Sequence, residues 1–399
     1  MIIEILIAII LGCLAGIITG ITPGIHINLV SVLLLSASPI LLNYTSPLIL
    51  AVFILSMAIM HTFTDAIPSI FLGAPEADTV LNVLPGHKML MQGQGYEAVK
   101  LTVIGSLLGL ILIILLIPLL LFTVNPLYSS IQNYIAYILI IASLILIIKD
   151  KNKWFFSLII FLLAGTFGII VLNMNLKQPL LPLLSGLFGA SSLILSLKDK
   201  IKIPKQIFSS PSLDKKETTK VMGGSLIASI LTGFLPGFSA SQSAILASSI
   251  TGKLKSNSYL LMVGAINTIV MIISFVALYT IDKARNGAII AISKFIDPFT
   301  MNDLITFIAI TLIVGGIATF VTLFVTKHFS KLIERLDYSK VAIFILTFIT
   351  ILVTMISGWL GLLIFIISTA IGILPALRGI NRSHLMGCLI LPVILFFLL

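Results

Sequence analysis

Thr19-Gly20-Ile21-Thr22-Pro23-Gly24-Ile25 interrupts one long apolar run, and Thr232-Gly233-Phe234-Leu235-Pro236-Gly237-Phe238 interrupts another in the same way. Each leads into polar side chains: His26 and Asn28 after the first, Ser239, Ser241, Gln242 and Ser243 after the second. Proline removes a backbone donor and glycine frees the dihedrals, so each motif breaks a helix. Peptide groups left open in hydrocarbon are costly, so a break at membrane depth survives only inside protein or against a wet cavity. Interruptions at corresponding places of two halves mark the binding site in many transporter folds. The expected substrate-binding set is therefore Thr19, Gly20, Thr22, Pro23, Gly24, His26 and Asn28 with Thr232, Gly233, Pro236, Gly237, Ser239, Ser241 and Gln242.

The rest of the chain supports a membrane setting. Its hydrophobic fraction is 59% and its charged fraction only 10%, which excludes a soluble globular protein. Apolar runs recur near 2–20, 26–43, 47–64, 101–123, 131–148, 154–173, 180–197, 221–235, 238–252, 258–280, 303–326, 340–357, 358–376 and 384–399. Most approach the ~20 residues that a spanning helix needs. The expected fold is an all-α polytopic membrane protein with about 12–14 transmembrane helices. Glu4 stands where a signal peptide would carry basic residues, so the first run is read as retained.

The net charge of +10 sits in short loops, not in a nucleic-acid-binding surface. Residues 198–220 hold seven lysines, and further clusters are Lys149, Lys151 and Lys153, then Lys327, Lys331, Arg335 and Lys340, then Arg378 and Arg382. All four are expected on one face, which the positive-inside bias makes cytoplasmic. Cys13 and Cys388 lie at opposite ends within apolar segments, so no disulfide, zinc site or other cofactor is expected.

Residues 198–220 also divide the chain into a first repeat, 1–197, and a second, 221–399. Pro23 and Pro236 align at an offset of 213 residues, and His61-Thr62 is echoed by Asn267-Thr268. An odd number of spans per half would orient the halves oppositely, the inverted-repeat design of many secondary transporters.

The densest polar chemistry lies at 61–100. Asp65 follows an apolar span and precedes Pro68; an ionisable group there is functional by default, and Asp65 with His61 is the ion-coupling candidate. The rival reading makes Asp65 a helix cap. Glu76, Asp78, Glu97 and Lys100 are expected in an exposed interfacial loop.

Ile67-Pro68-Ser69-Ile70-Phe71-Leu72-Gly73-Ala74-Pro75, then Leu84-Pro85-Gly86-His87-Lys88-Met89 and Gln92-Gly93, with Gly16, Gly20, Pro23 and Gly24 upstream, resembles the large permease subunit (TctA) of tripartite tricarboxylate transporters. The likeness covers roughly the first 110 residues well and the second Pro-Gly motif moderately. Pro75-Glu76 departs from the family's Pro-Gly, and Thr280 to Gly287 departs from its second-half counterpart. The resemblance implies a secondary-transporter permease for a small organic anion, di- or tricarboxylate-like, in the cytoplasmic membrane. Its implied partners are the substrate, membrane lipid, a small membrane subunit and an extracytoplasmic binding protein.

Helix N-termini after each Pro-Gly would aim backbone donors at an anion. A phosphate fits that physics as well as a carboxylate, so a polyprenyl-phosphate or other anionic-lipid translocase is the alternative. An intramembrane enzyme is disfavoured, since no Gly-x-Ser-Gly, His-Glu-x-x-His or Gly-x-Gly-Asp is present, and no Walker motif either.

Overall fold

The computed structural model describes residues 2–22, 27–73, 83–148, 150, 153–176, 178–198, 204–233, 240–252, 254–284, 286–334 and 338–399. Among them there are helices and loops and no strand. The first half holds α1 (Ile2–Ile21), α2 (Ile27–Ser36), α3 (Ser38–Leu41), α4 (Pro47–Thr64), α5 (Ala66–Phe71), α6 (Val83–Leu90), α7 (Gly95–Ile131), α8 (Ile135–Ile148), α9 (Trp154–Leu172), α10 (Leu180–Leu184), a π-helical turn (Ser185–Ala190) and α11 (Ser191–Lys198). The second half holds α12 (Lys215–Gly233), α13 (Ala240–Thr251), α14 (Ser256–Ile281), α15 (Gly287–Phe295), α16 (Met301–Ile333), α17 (Tyr338–Arg378), a 3₁₀ turn (Arg382–Met386) and α18 (Gly387–Leu398). Seven helices among the described residues are long and apolar enough to cross a membrane, and the chain is a multi-pass helical membrane protein.

Local chemistry sets several boundaries. Ser46 accepts from the Ile49 N–H ahead of Pro47, pairing a side-chain cap with proline in the first turn. Thr300 and Asp303 form a reciprocal capping box at the start of α16. The expected spans 340–357 and 358–376 are two helical segments of α17 meeting at a kink at Gly358, whose φ of 66° lies in the left-handed region that glycine tolerates.

Lipid tails provide no hydrophobic drive between helices, so close approach through small residues holds such bundles together. A Cβ on Gly12 would meet Ser56 at 2.7 Å, one on Gly16 would meet Met60 at 2.6 Å, and one on Gly20 would overlap the Thr64 hydroxyl. These contacts advance in step along both helices, so α1 and α4 run parallel. The chain between them must double back, and α2 with α3 forms the returning limb. Gly105 and Gly109 of α7 seat against the backbone of α14, where Ser106 donates to the Gly264 carbonyl at 3.1 Å. Gly168 of α9 sits against Cys388 of α18.

The contacts between halves are crosswise. α4 packs on α16 while α14 packs on α7; α15 packs on α4 while α6 packs on α14; α18 packs on α9 while α17 packs on the Ser185–Ala190 turn. Of the seven long helices, Ser256–Ile281 is the most enclosed, at 94% buried, and Pro47–Phe71 follows at 72%. α4 and α14 are thus the inner posts of the bundle.

Two of the basic clusters meet at one end of the bundle, its charged end. Lys153 donates to the carbonyls of Arg378 (2.9 Å) and Gly379 (3.0 Å). The 204–210 stretch straps across the elbow between α6 and α7. There Gln206 is buried, its side chain accepting from Gly95 N–H at 2.8 Å and donating to the Leu90 and Pro204 carbonyls, while its N–H donates to Glu334 at 2.7 Å. Ile207 N–H reaches the Gly93 carbonyl at 2.7 Å, and Phe208 stacks edge-on against Tyr96. Here the structure corrects the sequence expectation for Glu97. It lies in the first turn of α7, only 7% exposed, and accepts a hydrogen bond from Ser209. The strap covers it, which no local pattern around residue 97 could reveal. Glu76 and Asp78 lie outside the described residues.

Candidate functional site

Pro23, Gly24, His26, Pro236, Gly237 and Ser239 lie outside the described residues, as do the side chains of Asn28, Thr232 and Gln242. What surrounds the two breaks is described. α1 ends at Ile21, where the Thr22 N–H still reaches the Ile18 carbonyl at 3.1 Å. Thr19, one turn before the break, is 5% exposed and donates to the Gly16 carbonyl at 3.2 Å. Its oxygen is then left to accept from His61, whose Nδ1 lies 3.0 Å away. Thr64 adds a second bridge to the Gly16 carbonyl at 3.3 Å. Gly20 allows all of this, because any side chain there would displace Thr64. The first break is thereby fixed to the last turn of α4 by polar contacts.

α4 ends at Thr64, with Asp65 as its C-cap. Asp65 is helical in its dihedrals, and its N–H closes on the His61 carbonyl at 2.9 Å. Pro68, having no N–H, leaves the Thr64 carbonyl without its intrahelical donor, and the helix restarts as α5. Asp65 makes no side-chain capping bond to α5. Instead its carboxylate, in a residue only 4% exposed, accepts from Asn267 Nδ2 of α14 at 3.3 Å. Asn267 also donates to the Thr62 carbonyl at 3.4 Å. The geometry contradicts the capping alternative and gives the acid a partner in the other half of the chain.

The second break has a quieter setting. Gly233 closes α12, buried against α14, where an added Cβ would meet Ile273 Cγ2 at 2.7 Å. Ser241, in the first turn of α13, is fully buried. α14 runs unbroken beside it from Ser256 to Ile281, with no acidic or basic residue along its length.

The structure thus brings Thr19, Gly20, His61 and Asp65 together on the first side, and joins them to α14 through Asn267. Asn267 is the contributor that the sequence reading left out of the site, although its echo of His61 was visible. Among the described residues no cluster of His, Cys, Asp and Glu could hold a metal ion.

Comparison with known proteins agrees with this architecture. A Methanocaldococcus jannaschii protein described as uncharacterized protein MJ1079 is 31% identical over 357 residues, covering 87% of this chain and 88% of that relative. No solved structure matches. Residues 6–387 match the Tripartite tricarboxylate transporter TctA family; the chain belongs to that family and is a tricarboxylate-transporter-type membrane permease.

Proposed function

We propose that the permease carries a small organic anion, di- or tricarboxylate-like, across the cytoplasmic membrane, with the two Pro-Gly breaks as its substrate site and Asp65 as its coupling residue. The observation that carries this reading is the Asp65–Asn267 contact, one helical turn from the His61–Thr19 contact that secures the first break. An anion approaching a buried carboxylate is repelled strongly in a low-dielectric setting. The repulsion disappears if Asp65 first takes a proton or a sodium ion, so substrate and cation enter together. Asn267 holds the carboxylate in place through a neutral donor.

The two halves act as inverted repeats in this reading. Both have the order long helix, break, short helix and enclosed helix, and the crosswise packing of α4 on α16 and α14 on α7 supports a two-fold relation in the membrane plane. The family description names a tripartite system, so a small membrane subunit and an extracytoplasmic binding protein are the proposed partners. Counterflow in proteoliposomes with labelled citrate, succinate and a short-chain polyprenyl phosphate tests the reading. Uptake of a carboxylate against counter-loaded carboxylate is expected. Movement of the polyprenyl phosphate alone would replace it with lipid translocation.

A further inference from the structure

We propose that Arg382, with Ser191 and Ser192, forms an oxyanion-binding site at the charged end of the bundle, separate from the two breaks. Arg382 opens the 3₁₀ turn before α18 and is only 6% exposed. Arginine is almost never buried this far without a negative partner. Here its guanidinium donates to the Ser192 hydroxyl, to the Ser191 hydroxyl at 3.3 Å and to the Gly372 carbonyl at 3.4 Å, all neutral acceptors.

The serine oxygens are arranged to accept. Both hydroxyls donate back along their own helix, Ser191 to the Leu187 carbonyl and Ser192 to the Phe188 carbonyl, each at 2.6 Å. Their lone pairs therefore face the guanidinium. The π-helical turn just before them places them there, and widened turns of this kind recur at functional sites. Gly372 brings α17 against that turn, since a Cβ there would overlap the Leu187 carbonyl.

No carboxylate among the described residues pairs with Arg382. Asp150, which meets the same 3₁₀ turn, is committed elsewhere: it accepts from His384 Nε2 at 2.7 Å and from Ser157 at 2.8 Å. Among the described residues the cation is thus enclosed and oriented by dipoles alone. Burial without a counter-charge is costly, and an incoming oxyanion repays it. A guanidinium held in place by two serine oxygens suits a carboxylate or a phosphate group through its remaining N–H donors. Either a soluble anion on its way through the permease or a phospholipid headgroup could supply it.

The test is thermal unfolding of the purified full-length protein, in detergent with sodium citrate or sodium phosphate against sodium chloride of equal ionic strength. A second arm uses nanodiscs with and without phosphatidylglycerol. Saturable stabilisation by one of these is expected. Arg382→Lys keeps the charge but loses the fork, and should weaken the apparent affinity about tenfold; Ser191→Ala with Ser192→Ala should weaken it severalfold. Arg382→Gln should abolish it, and if that variant fails to fold the two milder ones carry the test. Loss of a phosphatidylglycerol effect alone in these variants identifies a lipid headgroup as the occupant. Wild-type response in Arg382→Lys and the serine pair, or no response of the wild type to any probe, overturns the proposal. Because no transport is read, a protein that fails to move citrate can still bind at Arg382, so the two readings fail separately.

Discussion

Two enclosed helices flank the two breaks, and they are built differently. α4 meets the first break with His61 and Thr64, ends at Asp65, and is restarted by a proline. α14 meets the second break with Ile273 and runs through without interruption or charge, contributing one amide, Asn267. α4 thus ends on a carboxylate, and α14 supplies a neutral hydrogen-bond donor to it. Two buried acids facing each other would repel, whereas an amide donates to the acid it faces.

The largest expected effect comes from removing that single charge. Asp65→Asn keeps shape and hydrogen bonding, and no capping bond is lost because the side chain makes none. Uphill accumulation should fall by an order of magnitude or more, while exchange of labelled for unlabelled substrate persists. Normal accumulation would show that α4 and α14 do not differ in the way that matters.

The second break point is steric. Gly20→Ala drives a methyl into the Thr64 hydroxyl next to the His61 carbonyl, whereas Gly233→Ala meets a single side chain, Ile273, at Cγ2 (2.7 Å) and Cβ (3.2 Å). Overpacking against fixed neighbours costs about 1–3 kcal/mol, so Gly20→Ala should lower both thermal stability and transport, and Gly233→Ala should be mild. Thr64→Ala should rescue the first and leave the second unchanged. Equal penalties at the two glycines would mean that the breaks are equally constrained.

Asn267→Ala comes next. It removes the neutral donor from a buried carboxylate, worth about 1–2 kcal/mol at a charged acceptor. Transport should fall severalfold with the coupling ion still required, and Asn267→Gln should recover part of it. An effect as large as that of Asp65→Asn would make the amide a ligand in its own right.

Much of this was legible in the chain. The two Pro-Gly motifs, the apolar runs and Asp65 beside Pro68 are local patterns, and local patterns report where a helix must stop. What stayed hidden depends on elements brought together from afar. Glu97 looked like a loop residue until the strap at 204–210 covered it. Asn267 looked like a weak echo of His61, and only the packing of α14 beside α4 makes it the partner of Asp65. Arg382 read as one cation of a loop cluster, because burial of a side chain is set by neighbours that its own sequence does not name.

The smallest effect tests whether charge alone marks function. Asp150, like Asp65, is an acid of the first half that reaches into the second, through His384. Burial raises its carboxyl, and hydrogen bonds from His384 and Ser157 outweigh that and hold it below its ordinary value of 3.8. A depressed carboxyl stabilises the fold fully above its unfolded value and loses that contribution as pH falls through the folded one. Asp150→Asn should therefore lower stability by about 1–2 kcal/mol at neutral pH. The gap to wild type should close as the pH drops below about 4. Accumulation per folded molecule should not change. The contrast with Asp65→Asn is the point of the pair: one acid fastens two loops at the charged end and shows up in a melting curve, the other sits between the halves and shows up only in coupled transport. If Asp150→Asn also abolished accumulation while exchange persisted, coupling would extend to the end of the bundle, and the enclosed pair at Asp65 and Asn267 would no longer suffice to explain it.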